Sequence, residues 1–179
     1  MEKSADLPEV VALYRAAGLS LGHDLQALDQ ATRISASRSA VAYLARNIAF
    51  TGRLRVPVLT MHTTGDGLVV PENEQAYRSA VERAGDGSLL QQIFVDRAGH
   101  CAFTPAETIT AVQVLADRLD GGRWNLSALA PASLNAQAAA LGSQYNIFES
   151  GGAVVPTPPA FLHYRPTPYL RPFDLAPGG

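Results

Sequence analysis

The pattern of hydrophobic and polar residues changes once along the first two thirds of the chain. From residue 6 to about 50, apolar residues recur at helical spacing among scattered charges, which predicts short helices over 9–17, 24–33 and 39–48. Residues 54–120 instead alternate short apolar runs with amphipathic stretches, in the order strand, loop, helix, strand, loop, helix. This order is typical of an α/β sheet in which a right-handed crossover joins two parallel strands.

The boundaries of these elements carry clear local signals. The first strand covers 56–61, with Pro57 near its start, because inside a central strand a proline would remove a ladder hydrogen bond. The second strand covers 89–95. Pro71 stands at the start of the first helix of this region, and the Thr104–Pro105–Ala106–Glu107 run, a capping-box pattern, starts the second.

Four segments are therefore expected. They are a helical cap-like segment (1–50), an α/β core (51–122), a helical segment (123–150) and a Pro-rich extended tail (151–179). The tail holds seven of the twelve prolines, which argues against a regular helix or a central strand. We expect it to lie extended over a partner surface.

Composition excludes several classes of protein. A chain of 179 residues with net charge −2 is the size of one globular domain, and it has no electrostatic footprint for nucleic acid. No apolar run approaches the roughly 18 residues of a membrane span, and the N-terminus has no signal-peptide core, so a cytoplasmic location is the default and the compartment stays open. The single cysteine, Cys101, excludes an internal disulfide framework. No metal or organic cofactor is expected, since no ligand cluster has suitable spacing.

Two loops carry the candidate chemistry. Asp66 follows the first strand in a Thr-Gly-Asp-Gly turn, and His100 follows the second in Ala-Gly-His-Cys. The carboxyl ends of neighbouring parallel strands open onto the same edge of a sheet, where ligands bind. An aspartate held against an imidazole sets its tautomer and stabilises the cation that forms when the ring accepts a proton. The pair would supply the acid and the base of a nucleophilic triad.

These residues resemble the α/β-hydrolase superfamily. Residues 54–71 look like its seventh strand and acid loop, and residues 95–101 resemble its histidine loop, in the chain order of acid before histidine. The resemblance covers 54–120 well and the rest loosely. It implies that Asp66 is the orienting acid and His100 the general base, within the C-terminal part of an α/β-hydrolase sheet of parallel strands and crossover helices.

Simpler roles exist for each residue. An aspartate between two glycines is usually a turn former. Asp96 is the rival acid, although it lies on the strand end of the histidine itself. His62 and His163 have no comparable context, and we interpret them as structural.

The nucleophile is the open question. One Gly-x-Ser-x-Gly pattern exists, centred on Ser20, but a helical pattern precedes it where a nucleophile elbow needs a strand. We therefore expect the nucleophile on a segment that precedes this chain. The Gly99–His100–Cys101 run also resembles tannases and feruloyl esterases, which bridge such a cysteine to one beside the serine. That partner is absent here, and a small buried hydrophobic residue is the expected role of Cys101.

The resulting hypothesis is a serine-type hydrolase of small-molecule carboxylic esters. A peptidase on the same scaffold is an alternative, since the sequence does not separate esters from amides. A second alternative is a catalytically silent module that associates with another copy or partner through an exposed sheet edge and the tail.

Overall fold

A computed structural model describes residues 7–169. The first six residues and the last ten of the expected tail, 170–179, lie outside this description. The described residues form two compact units, one of residues 7–49 with Tyr169 and the other of Phe50–Pro168.

The first unit is helical. It contains α1 (Leu7–Ala16), α2 (Leu21–Gln30) and α3 (Arg38–Asn47), which confirms the three helices expected from the apolar spacing. Ser20 and Ser37 are the N-caps of α2 and α3, where each hydroxyl accepts a backbone N–H from three residues further on. None of the three helices has a buried residue. Their role as a cap remains a prediction.

The second unit begins with the alternation of strands and helices expected from the sequence. Its elements in order are β1 (Val58–Gly65), α4 (Glu72–Ala84), a 3₁₀ turn (Gly87–Leu89), β2 (Leu90–Ala98) and α5 (Pro105–Gly121). β1 and β2 pair in parallel, from Val58 opposite Leu90 to Gly65 opposite Ala98. Both strands run a few residues beyond their apolar cores, because backbone pairing continues to the loops that carry Asp66 and His100.

The remaining elements are α6 (Pro131–Ala140), β3 (Ile147–Ser150), β4 (Ala153–Pro156) and β5 (Phe161–Leu162). β3 and β4 form a hairpin whose turn is Gly151–Gly152, with φ of +60° and +81°, as primed hairpin turns require. β5 pairs with β2, and the described strand order is β1-β2-β5.

Two expectations about this region are wrong. The sheet was expected to be parallel, but β5 is antiparallel to β2, so the structure is a mixed α/β fold in which most pairings are not parallel. The tail was expected on a partner surface, but in its described part Phe161 is 4% exposed and packs in the core of its own chain. A two-residue edge strand needs few backbone donors, so the prolines around it do not prevent pairing.

The core lies between the sheet and the helices α5 and α6, and residues of β1 pack against it. Its buried members are Ile93, Val95, Ala106, Ala111, Val114, Leu134, Ala138 and Phe161. On α4, Val81 is fully buried. None of the helices within residues 7–169 has the combined length and apolar character of a membrane span.

Candidate active site

The site lies at the carboxyl ends of β1 and β2. Asp66 directly follows β1, and His100 comes two residues after β2. Gly65 lies opposite Ala98, and the Gly99 N–H donates to the Gly65 carbonyl at 3.0 Å, so the loops start side by side. A Cβ on residue 65 would lie 3.0 Å from the Ala98 Cα. Any residue other than glycine would therefore push the two strand ends apart.

The structure brings Asp66 and His100 into direct contact. His100 Nδ1 lies 2.8 Å from Asp66 Oδ2, with the aspartate side chain 4% exposed and the histidine side chain 44% exposed. The other carboxylate oxygen, Oδ1, accepts the N–H groups of Leu68 and Val69, each at 2.9 Å. Asp66 is thus both a turn former and the partner of the imidazole, because each role uses a different oxygen.

The surroundings of Asp66 favour its ionised form. Burial of the carboxyl raises its pKa, but hydrogen bonds from the Val69 amide, the His100 ring and the Leu68 amide oppose burial, as does the charge of His100. The net result is a pKa lowered from 3.8 to about 2. The carboxylate is therefore charged at any pH near neutrality.

In this geometry only one nitrogen of the His100 ring is free to exchange a proton with a substrate or another side chain. With Nδ1 facing the carboxylate, Nε2 of His100 is the atom that can exchange a proton with another group. Among the described side chains of residues 50–168, none hydrogen-bonds to Nε2, and no serine hydroxyl hydrogen-bonds to the ring. This unit therefore brings a carboxylate and an imidazole into contact, with no described serine hydroxyl bonded to the ring.

The loop that carries His100 has a special backbone. Gly99 has φ +106° and Cys101 has φ +52°, both in the left-handed region. The buried Thr63 hydroxyl donates to the Gly99 carbonyl at 2.7 Å. Sequence reasoning missed this contact and the contacts of Arg97 with Glu107 across the same loop. The capping-box pattern had marked Glu107 only as a helix start.

The rival residues do not join this pair. Asp96 is exposed and has the Thr64 hydroxyl 3.4 Å from its Oδ1, so it does not reach His100. The Nδ1 atom of His62 lies 2.8 Å from the Thr63 carbonyl oxygen. His163 is exposed and directly follows β5 in the sequence.

Ser20 does not occupy a nucleophile elbow. The residues before it belong to helix α1, not to a strand, and Gly18 (φ +67°) lies in the turn that ends this helix. The Ser20 hydroxyl accepts the His23 N–H at 3.2 Å as a helix cap. Its Gly-x-Ser-x-Gly pattern is therefore the junction of two helices.

The expectation for Cys101 is also wrong. Its side chain is a free thiol in an exposed residue, not a small buried hydrophobic group. The tight turn that places His100 beside Asp66 points this neighbouring residue away from the core. Within residues 7–169, no three His, Cys, Asp or Glu side chains converge in a way that could hold a metal ion.

One comparison with known proteins bears on this site. The chain is similar to o-phthalyl amidase of Xanthobacter agilis. The two are 36% identical over 133 residues, a match that covers 69% of this chain and 29% of that protein. The chain thus spans less than a third of the length of this relative. No family model matches the chain, and no solved structure matches it.

Proposed function

We propose that this chain carries the acid and the base of a Ser-His-Asp acyl hydrolase of the α/β-hydrolase superfamily, with Asp66 and His100 in those roles. The observation that carries the proposal is the 2.8 Å contact between His100 Nδ1 and Asp66 Oδ2 at the ends of two parallel strands. Similarity to an enzyme named as an amidase supports hydrolysis as the reaction.

In this mechanism His100 transfers the proton, and Asp66 orients the imidazole and stabilises its charged form. His100 Nε2 accepts the proton of the serine hydroxyl as the oxygen attacks the carbonyl carbon, and the imidazolium that forms is stabilised by the Asp66 carboxylate. The imidazolium then donates this proton to the leaving nitrogen or oxygen, and the acyl-enzyme is released by a water that His100 deprotonates. The low pKa of Asp66 keeps it charged throughout, as this role requires.

The nucleophile in this proposal comes from a segment outside the described residues. Ser20 is a helix cap, and within residues 50–168 no serine hydroxyl that the structure describes hydrogen-bonds to His100. The relative is more than three times as long as the part that aligns with this chain, which leaves ample sequence for a serine elbow and an oxyanion hole.

Amide bonds are the proposed substrate class. The sequence alone had favoured esters, whereas the name of the relative favours amides. Protonation of the leaving group matters more for an amide, because an amine anion is a very poor leaving group, and His100 is placed to supply that proton. Leu68, Val69 and Val70 follow Asp66 and are exposed, Leu68 at 75%, which supports an apolar acyl group near the site.

A catalytically silent module is the second proposal. It is favoured because, in the described part of residues 50–168, no serine hydroxyl hydrogen-bonds to His100. The described sheet also leaves one edge of β1 without a partner strand, which suits association with another chain or segment.

The experiment uses the full protein encoded by the gene, with the 179-residue chain in parallel. Hydrolysis of a matched aryl amide and aryl ester is measured for the parent, His100→Ala and Asp66→Asn, with Asp96→Asn and His163→Gln as controls. A fluorophosphonate probe is applied to each, and any adduct is mapped by mass spectrometry.

We expect His100→Ala to abolish hydrolysis and labelling, Asp66→Asn to lower kcat/KM by about 10³- to 10⁴-fold, and both controls to retain activity. Labelling outside residues 1–179 would support the proposed nucleophile. Full activity in Asp66→Asn would remove Asp66 from the mechanism, and a protein inert towards probe and substrates would favour the silent module.

A further inference from the structure

The loop that places His100 is held in a strained conformation. Gly99 has φ +106°, and Cys101 has φ +52°, where a Cβ crowds the neighbouring carbonyl. Residues in such conformations persist only when the surrounding structure holds them there. The contacts that hold this loop therefore determine where the imidazole lies.

One side chain spans the loop. Arg97, the second-last residue of β2, donates from Nη1 to the Ala102 carbonyl at 2.7 Å and to Glu107 Oε2 at 2.6 Å. Its Nη2 donates to Glu107 Oε1 at 3.0 Å. Glu107 lies in the first turn of α5, so the pair connects the two ends of the loop. The bond to Ala102 holds its middle, two residues from His100.

Glu107, the partner of Arg97, is fixed in one orientation. Glu107 is fully buried, and its oxygens also accept the N–H groups of Thr104 at 2.8 Å and Ala160 at 3.0 Å. The planar guanidinium matches this arrangement because it offers several N–H groups in fixed directions. Its Nη2 also donates to the Pro158 carbonyl at 3.3 Å, and its Cζ lies 6.0 Å from the centroid of the Phe148 ring.

We propose that Arg97 and Glu107 are positioning residues for His100. They act through the Ala102 carbonyl, which keeps the loop folded so that Nδ1 faces Asp66 and Nε2 faces the reacting groups. This inference rests on the proposed function for its effect on activity. Its effect on the His100–Asp66 contact can be measured without any substrate.

The decisive variant is Arg97→Lys. Lysine keeps a positive charge beside the buried Glu107, so the variant is expected to fold. A single ammonium group cannot reproduce the fork that bonds both carboxylate oxygens and the Ala102 carbonyl. A purely stabilising pair would change only the melting temperature, whereas a positioning pair changes the geometry of His100 in the folded protein.

The first readout is the state of the imidazole. The ¹⁵N chemical shifts of the His100 ring distinguish the Nδ1–H tautomer, which the contact with Asp66 selects, from the Nε2–H tautomer. We expect the Nδ1–H signature in the parent and its loss or averaging in Arg97→Lys, with Asp66→Asn as the reference for a broken contact. An unchanged signature in a folded Arg97→Lys protein would overturn the proposal.

The second readout is kinetic, in the full protein. We expect Arg97→Lys to lower kcat by about 10- to 100-fold, because small misplacement of a reacting group is costly, with KM changed less than about twofold. Arg78→Lys is the matched control, since Arg78 is an exposed arginine of α4 whose side chain hydrogen-bonds to Gln92 of β2, away from the histidine loop in sequence. Val114→Ala is the stability control, since Val114 is a buried core residue of the same helix as Glu107.

The two proposals fail in different ways. If Asp66→Asn is inactive and Arg97→Lys has normal kcat and normal ¹⁵N shifts, the positioning role is overturned and the proposed function stands. If Asp66→Asn is fully active, the proposed function fails, and the ¹⁵N shifts alone decide whether Arg97 holds the imidazole. If Val114→Ala lowers kcat as much as Arg97→Lys does, the effect is one of general stability and the proposal is wrong.

Discussion

The acid loop and the histidine loop reach the same point of the molecule by different means. Asp66 is held by the N–H groups of Leu68 and Val69, two and three residues further along the chain. His100 lies in a loop held by Thr63, 36 residues before Gly99, and by Arg97, which reaches the Pro158 carbonyl 61 residues away. One loop is a local turn, and the other depends on the folded unit.

The difference indicates which distant substitutions should disturb the geometry of the site. A turn that its own side chain organises forms wherever the strand before it ends, so few distant substitutions should disturb it. A loop with two left-handed residues needs external contacts, so its geometry should be lost when any of them is removed. Three substitutions and one titration test this contrast, in order of decreasing effect.

Glu107→Ala is expected to lower the free energy of unfolding by about 3–5 kcal/mol, because it leaves the Arg97 charge without its buried partner. Chemical denaturation measures this loss. Glu72→Ala is the control, since Glu72 occupies the first turn of α4 but is only half-buried, and its loss should cost about 0.3–1 kcal/mol. Equal effects of the two variants would show that the histidine loop does not depend on the buried pair.

Cys101→Val is expected to lower the free energy of unfolding by about 1–2 kcal/mol, because a β-branched side chain is costly at φ +52°. Cys101→Gly should change it by less than about 1 kcal/mol, since relief of strain is offset by greater freedom of the unfolded chain. Thermal and chemical unfolding of the two variants provide the comparison. A valine variant as stable as the parent would mean that the loop is not strained.

Thr63→Val is expected to cost about 1 kcal/mol, because it keeps the shape of a buried side chain but leaves the Gly99 carbonyl without its donor. The neighbouring Thr64→Val is the matched control, since Thr64 points to the other face of β1 and is more exposed. The His100 ¹⁵N shifts should change in the first variant only. A change in both, or in neither, would contradict the role assigned to Thr63.

The titration of Asp66 separates local from distant contributions. Its carboxyl ¹³C shift should titrate with a pKa of about 2 in the parent, and the pKa should rise in His100→Ala, which removes one hydrogen bond and one charge but leaves the two amides. Because the folded-state pKa is lowered, this stabilisation is fully present above pH 4 and is lost as the pH falls through about 2. A parent pKa near 3.8 would mean that these hydrogen bonds do not favour the charged carboxylate.

Much of the fold could be predicted from local signals. The three helices of the first unit, the order of elements from β1 to α5 and the Thr104–Glu107 capping box all follow from short-range patterns. The antiparallel strand β5 could not be predicted, because two apolar residues among prolines do not reveal which strand they pair with. The exposed position of Cys101 likewise depends on a backbone conformation that no residue type signals.

Local strand and turn signals are enough to predict that Asp66 and His100 follow two consecutive strands, and parallel pairing brings the ends of such strands to one edge of a sheet. Three features emerge only in the folded chain: His100 Nδ1 meets Asp66 Oδ2, Ser20 is a helix cap, and Arg97 bonds both Glu107 and the Ala102 carbonyl. The physical reason is range. Turns and caps depend on residues within four positions, whereas the direction of an imidazole depends on contacts between residues tens of positions apart.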